Sequence, residues 1–219
     1  MRYIPLTALF FTLFTACGPS GSPETETVRT EEALPAADPE EMTEEEAIAY
    51  AKGVATEITA KAEAGVFKTD SIEYACEDAM LGGTLTLYSD AGGIVLAENS
   101  FSMSDHEGQT DRWYFKDGKL VLLHEYHGTW RFGGKMTTDE DGNEYPGTID
   151  DITENYFYFD QGHLFKHLVK EYQIVSGEEE INPDDVPAES MAQNGETPVS
   201  YNFIAAVMAT RAVDCGLLE

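Results

Sequence analysis

The sequence predicts an α+β domain, in which an antiparallel β-meander of about six strands packs with an N-terminal amphipathic helix and a C-terminal helix. Three observations predict this class. A Tyr-x-x-x-Gly-x-Ile/Leu motif occurs three times between residues 88 and 164, a capped amphipathic segment begins at Thr43, and an apolar segment follows Ser200. Aromatic and β-branched residues around a glycine turn favour a hairpin. Three hairpins give six strands.

An export signal precedes the domain. Arg2 stands before an apolar run that ends at Phe14 and has the length of a secretory signal core, which is too short to span a membrane. The segment Phe14-Thr15-Ala16-Cys17 resembles the lipobox of bacterial lipoproteins. That resemblance implies a signal peptide over residues 1–16, a lipid on Cys17, and an outer-membrane location because Gly18 replaces the aspartate of inner-membrane lipoproteins. An ordinary signal peptide followed by a coincidental cysteine is the alternative.

Acidic residues dominate the chain, which has 41 of them against 13 basic residues and a formal net charge of −28. Residues 17–42 combine acidic residues with prolines and have too little apolar content to fold, so we expect a disordered tether. Residues 43–219 are expected to form one domain. The negative charge repels phosphate backbones and excludes nucleic acid as a partner. The expected partners are the membrane, through the lipid, and an envelope protein, a peptide or a glycan.

The first helix is predicted to begin at a capping box, Thr43-Glu44-Glu45-Glu46, in which the side chains of Thr43 and Glu46 each accept from the other's backbone N–H. Apolar residues follow at helical spacing, and Gly65 can end the helix in a left-handed conformation. These apolar residues are Ile48, Ala51, Val54, Ala55, Ile58 and Ala62. The helix is expected to pack on a flat surface. Residues 66–82 fit either a short helix or a strand, and the sequence leaves both open.

Three copies of one motif define the hairpins. The copies are Tyr88/Gly92/Ile94, Tyr114/Gly118/Leu120 and Tyr158/Gly162/Leu164. The glycine of each copy is expected to supply the positive φ that other residues resist. The spacings between copies are unequal, which predicts a meander with a longer excursion between the second and third hairpins. A further turn, Asp141-Gly142-Asn143, is expected in that excursion.

Alternation along the strands assigns side chains to the two faces of the sheet. Trp113, Phe115, Phe157 and Phe159 share one face, which is expected to be core, and Tyr114, Tyr156 and Tyr158 share the other. Because tyrosine joins an apolar ring to a polar tip, the second face is expected to be either half-exposed or covered by a helix with each hydroxyl bonded. If it is exposed, these three tyrosines form a candidate binding face for a sugar or a peptide.

Cys76 and Cys215 are the two cysteines besides Cys17. In an oxidising compartment such a pair is expected to form a disulfide, and two separate buried thiols are the alternative. No Cys-x-x-Cys motif occurs, so the sequence supports neither thioredoxin-like chemistry nor a cysteine zinc site.

The C-terminal part is predicted to contain an acidic surface loop and a final helix. Residues 177–198 hold three prolines and a run of three glutamates, which is typical of a loop. Ser200 can then cap a helix from Tyr201 to about Asp214, with Gly216 as its stop. Its inward residues are expected to be Phe203, Ile204, Val207 and Met208.

A family resemblance rests on three segments of the meander. They are Gly82-Gly83-Thr84-Leu85-Thr86-Leu87-Tyr88, Trp113-Tyr114-Phe115-Lys116-Asp117-Gly118-Lys119-Leu120 and Tyr156-Phe157-Tyr158-Phe159-Asp160-Gln161-Gly162-His163-Leu164. Residues 72–175 as a whole resemble exported proteins and lipoproteins of the Bacteroidota. The resemblance implies a periplasmic, sheet-rich domain and no particular activity.

Metal and cofactor sites are not favoured, and no cofactor is predicted. His163 and His167 would lie about 13 Å apart on a strand at roughly 3.3 Å per residue, too far to share one zinc ion. An acidic segment matches the spacing of an EF-hand at Asp139, Asp141, Asn143 and Asp150. Glu144 stands where the EF-hand loop needs glycine, so a hairpin turn is favoured over a weak calcium site.

Catalytic motifs are absent from the sequence: it contains no Gly-x-Ser-x-Gly elbow, Ser-x-x-Lys motif or phosphate-binding glycine loop. We therefore expect a non-catalytic structural or binding module of the envelope. The alternative is a periplasm-facing hydrolase, such as a glycosidase that uses two carboxylates. Exposed tyrosines would favour binding, whereas a deep cleft with converging polar groups would favour an enzyme.

Overall fold

An antiparallel sheet of eight strands forms the centre of the computed structural model, which describes residues 42–76, 81–138, 141–179, 181–192 and 197–218. In spatial order the strands are β1 (Lys68–Ala75), β2 (Gly82–Asp90), β3 (Gly93–Ser104), β4 (Glu107–Lys116), β5 (Lys119–Phe132), β8 (Thr148–Asp160), β9 (His163–Val175) and β10 (Glu189–Ser190). Two short strands, β6 (Thr137–Thr138) and β7 (Glu144–Tyr145), pair with each other between β5 and β8. The helices are α1 (Glu44–Glu63) and α2 (Val199–Thr210).

The predicted α+β class with an antiparallel sheet is confirmed, but the sheet has eight strands instead of about six. The two additional strands lie at its edges. Residues 68–75, in the segment left open between helix and strand, form the edge strand β1. Residues 189–190, inside the acidic segment expected to be a loop, form β10 and pair with β9.

Each motif copy spans a hairpin with a β-bulge. The second strand of the hairpin has one extra residue opposite the position that follows the tyrosine. The register shifts after Tyr88, Tyr114 and Tyr158. A bulge places two consecutive residues of the partner strand on one face. In the second hairpin these are Val121 and Leu122, which both pack toward α1. The repeated motif therefore encodes a bulged hairpin, which a plain alternation pattern does not predict.

The turn glycines differ among the copies. Asp117-Gly118 and Gln161-Gly162 both have positive φ at each position, as expected of tight two-residue hairpin turns. In the first copy, positive φ occurs at Gly93 and not at Gly92. The Asp90 side chain accepts a hydrogen bond from the Gly92 backbone N–H (2.7 Å), and the left-handed residue follows one position later. The expected role of Gly92 is therefore wrong.

Both faces of the sheet are covered. One face packs against α1 through a core that contains Val54 and Ile58 together with Tyr114, Leu122 and Tyr158. The other face packs against α2 through Phe203, Ile204 and Val207, which contact a core that includes Trp113, Phe115, Phe157 and Phe159. The tryptophan and phenylalanine face is core, as predicted, and the tyrosine face is a second core.

Helix α1 has the predicted start and end. Thr43 and Glu46 form the capping box, with the Thr43 hydroxyl accepting from the Glu46 N–H and the Glu46 carboxylate accepting from the Thr43 N–H. Gly65 has φ +67° just beyond the C-cap. The apolar stripe faces the sheet, with Ala51, Val54 and Ile58 buried. Capping and packing thus specify the same helix.

Helix α2 differs from its prediction at both ends. It spans Val199–Thr210, and Arg211, in the left-handed conformation at φ 58°, ends it well before Gly216. Its N-cap is Pro198, and the Ser200 hydroxyl donates to Glu125 of β5 instead of capping the helix. Met208, expected to face inward, is exposed.

The segment after α2 packs back onto the sheet. Leu217 and Leu218 contact the core on the α2 side, and Cys215 lies beside Cys76 at the end of β1, with an S–S distance of 2.00 Å. The pair links positions 139 residues apart in the sequence. Among the residues that the structure describes, no helix is long and apolar enough to cross a membrane.

Candidate functional site

A cavity of about 510 Å³ lies between α1 and the sheet face that α1 covers. The helix lines it with side chains from four successive turns, including Ala55 and Thr59. The sheet contributes Tyr114, Leu122, His124, Tyr156, Tyr158 and Leu168, and Asp184 and Ala188 of the acidic segment lie on the remaining side. All three tyrosines of the candidate binding face therefore line one cavity.

The tyrosines do not form an exposed platform. Tyr114 and Tyr158 are buried in the core beneath α1, with exposed fractions of 5% and 0%. The Tyr114 hydroxyl lies 3.1 Å from the Thr59 hydroxyl of α1, so these two groups bond each other. The Tyr158 hydroxyl is buried and has no hydrogen-bond partner among the residues that the structure describes. The idea of an open stacking surface is wrong for these two residues, since a helix covers both.

Tyr156 belongs to a polar cluster around a buried carboxylate, Glu154. His124 Nε2 donates to Glu154 Oε2 (2.7 Å), and the Tyr156 hydroxyl donates to the same oxygen. The Tyr172 hydroxyl donates to Glu154 Oε1 (2.7 Å). The rings of His124 and Tyr156 are stacked with centroids 4.5 Å apart. Three donors on three strands thus converge on one carboxylate.

These donors control the charge of Glu154. Burial by itself raises the pKa of this carboxyl, but the hydrogen bonds from His124, Tyr156 and Tyr172 outweigh it and lower the pKa to about 2. Glu154 is therefore ionised at neutral pH although only 4% of its surface is exposed. In turn, burial and the bond to Glu154 raise the pKa of Tyr156 and Tyr172, so both phenols stay protonated donors.

Two positive and two negative side chains line the cavity beside these groups. Lys52 and Glu63 belong to α1, Lys170 belongs to β9, and Asp184 belongs to the acidic segment. Lys170 Nζ donates to the Pro183 carbonyl (2.7 Å) and lies 5.7 Å from the centre of the Tyr156 ring. That contact holds the acidic segment against β9 and gives the cavity its far wall.

The opposite face carries a second group of polar residues, of which two are buried and two half-buried. Asn99, Asp111, Glu125 and Asn155 stand side by side on four neighbouring strands. Burial is the main cause that raises the pKa of Asp111 to about 8, and the negative charge of the neighbouring Glu125 adds to it. A hydrogen bond from Gln109 (2.7 Å) acts in the opposite direction and lowers the pKa. Burial also raises the pKa of Glu125, in spite of its bond from Ser200. Within the described part of the chain, no lysine or arginine pairs with either carboxyl.

Three further histidines contact different partners. His167 bonds Asn155 (3.0 Å), His127 bonds Glu107 (2.8 Å), and the His106 ring lies tilted against the Trp130 ring, with centroids 3.9 Å apart. The described residues contain no group of three or more His, Cys, Asp or Glu side chains that could hold a metal ion.

The EF-hand spacing falls on a hairpin region. Asp139 lies outside the described residues, Asp141 and Asn143 lie in the turn between β6 and β7, and Asp150 belongs to β8, where it pairs with Trp130 and Ile174. The predicted signal peptide, Cys17 and the predicted tether up to residue 41 also lie outside the described residues.

Sequence reasoning did not single out Glu154, His124 or Asp111. The available signal was a carboxylate at an inward position of a mostly apolar strand: Glu154 shares a face with Ile152, Tyr156 and Tyr158. Such a carboxylate needs partners, and two of its three partners, His124 and Tyr172, come from neighbouring strands whose register the sequence does not state.

No protein-family model, curated protein or solved structure matches the chain. The function must therefore be inferred from the chemistry of the cavity itself.

Proposed function

We propose that the protein is a lipid-anchored module of the bacterial envelope that binds a small, mostly apolar molecule in the cavity beneath α1. The observation that carries the binding role is the cavity of about 510 Å³, whose lining joins apolar surface to a few polar groups. Sites for small molecules typically have volumes of roughly 300–1,000 Å³ and this kind of lining. The tyrosines singled out from the sequence contribute to it as walls, not as a platform.

The position at the envelope rests on the sequence. Cys17 follows a lipobox-like segment and precedes an acidic stretch that would hold the domain away from the membrane. Cells grown with an alkyne-tagged palmitate should incorporate the label into the protein, whereas the Cys17→Ser variant should stay unlabelled. Label on the serine variant, or none on the wild type, would contradict the anchor and leave the binding role to be judged separately.

Binding can be tested by filling the cavity. Ala55 lines it, and Ala49 lies on an exposed part of the same helix, so Ala55→Trp and Ala49→Trp form a matched pair. The neutral probe N-phenyl-1-naphthylamine fluoresces more strongly in apolar surroundings. We expect saturable binding to the wild type and to Ala49→Trp, and binding at least about tenfold weaker in Ala55→Trp because the indole occupies the site.

Circular dichroism and urea midpoints establish that both variants are folded. A folded Ala55→Trp variant that binds the probe as tightly as the wild type would show that the cavity is not the binding site.

A further inference from the structure

One buried polar group at the cavity lacks a partner. Among the described residues, buried side-chain atoms without a hydrogen bond occur in Asn99, Trp113, Thr137 and Tyr158, and of these residues Tyr158 lines the cavity beneath α1. A buried hydroxyl without a partner destabilises the folded state, so native structures supply a partner in nearly every case. The Tyr158 hydroxyl has less than 1 Å² of accessible surface, so a ligand in the cavity supplies that partner when the side chains around the hydroxyl shift to admit it.

The neighbouring polar groups are already bonded to each other. The hydroxyls of Tyr114 and Thr59 form one pair. Tyr156 and His124 both donate to Glu154. A ligand therefore needs to provide one hydrogen-bond acceptor here, for the Tyr158 hydroxyl.

The charges around the cavity balance. Lys52 and Lys170 stand against Glu63 and Asp184 in its lining, and the three donors on Glu154 already stabilise that carboxylate. A charged ligand would lose its hydration without gaining an unopposed counter-charge. An uncharged ligand loses much less.

We propose that the ligand of this cavity is an uncharged, largely apolar molecule with a carbonyl oxygen that accepts a hydrogen bond from Tyr158. The proposal rests on the binding role proposed above and names the class of molecule that the site takes. Burial raises the pKa of Tyr158 to about 12, so its hydroxyl remains a donor over the whole physiological range.

The test compares two ligands that differ in one group. 2-Acetylnaphthalene and 2-isopropenylnaphthalene have nearly the same shape, but only the first carries a carbonyl oxygen. Displacement of N-phenyl-1-naphthylamine gives the affinity of each for the wild type and for Tyr158→Phe. We expect the ketone-to-hydrocarbon affinity ratio to fall about tenfold in Tyr158→Phe, because the variant lacks the donor.

A matched control and a charged ligand complete the experiment. Tyr88 is the equivalent tyrosine of the first hairpin and does not line the cavity, so Tyr88→Phe should keep the wild-type ratio. 2-Naphthoate should bind more weakly than the ketone.

The outcomes separate the two proposals. An unchanged ratio in Tyr158→Phe, tighter binding of 2-naphthoate, or failure of both neutral naphthalenes to displace a bound probe would overturn the carbonyl proposal while leaving the cavity as a binding site. If the probe itself does not bind, the binding role fails as well.

Discussion

The two faces of the sheet each bury a carboxyl group, and the two groups have opposite protonation. Glu154, on the face beneath α1, has a pKa lowered to about 2. Asp111, on the face beneath α2, has a pKa raised to about 8. Their exposed fractions are similar, 4% and 1%. Burial alone therefore does not explain the difference.

The difference follows from the neighbours of each carboxyl on its own strand and on the adjacent strands. Glu154 receives three hydrogen bonds, from His124, Tyr156 and Tyr172. Asp111 receives one from Gln109 and faces a second carboxyl, Glu125, on the paired strand. Donors favour the ionised form of a carboxyl, and a nearby negative charge disfavours it. Register within a sheet thus decides whether a buried carboxyl is a fixed anion or a protonated acid.

The largest expected effect comes from removing the anion beneath α1. Glu154→Gln keeps the size of the side chain but takes the charge away from three donors, and we expect the free energy of unfolding at pH 7 to fall by about 3 kcal/mol. Because the pKa of Glu154 is lower in the folded state, its contribution is fully present above about pH 4.5 and is lost as the pH falls toward 2. Urea unfolding at several pH values measures both effects.

The matched control is Glu171→Gln, which changes an exposed carboxylate on β9 and should alter stability by less than about 0.5 kcal/mol. Equal losses in the two variants, or a loss for Glu154→Gln that persists unchanged at pH 3, would remove the distinction between the two faces.

A smaller effect of opposite sign is expected for Asp111. Its pKa is higher in the folded state than in the unfolded chain, so the folded protein loses stability as the pH rises from about 4 to 8. Asp111→Asn removes this loss. Relative to the wild type, the free energy of unfolding of the variant should rise by on the order of 2 kcal/mol between pH 5 and pH 8. Glu125 can share a proton with Asp111 in the wild type, which reduces this difference.

Thermal or urea unfolding at the two pH values measures the gain, with Asp160→Asn on the exposed end of β8 as the control. A variant whose stability follows the wild type in parallel across this range would mean that Asp111 is ionised throughout.

The helices show how far sequence reasoning reaches. Both ends of α1 could be predicted because a capping box and a left-handed glycine are local signals that tertiary contacts support. The same reasoning fails at α2, where Ser200 has a tertiary partner, Glu125, 75 positions away in the sequence. The helix also begins one residue before Ser200, so this serine stands at the second helical position and not at the cap.

The strands show the same division. The motif copies predict the six strands that the hairpins contain, and alternation places Trp113 and Tyr114 on opposite faces. Alternation does not reveal the bulge after each tyrosine or the edge strands β1 and β10. Nor does it reveal which residues meet across strands, and the cluster around Glu154 depends on that register.

The bond between Cys76 and Cys215 also decides how the domain carries mechanical load. A pull applied between the start of β1 and the C-terminal segment passes through β1 to Cys76 and then directly across to Cys215. Strands β2 to β9 lie inside the closed loop and bear no tension while the bond is intact. Stretching the chain between these two points would peel the edge strand β1 and leave α2 unloaded inside the loop, whereas α1 precedes β1 and has no such protection.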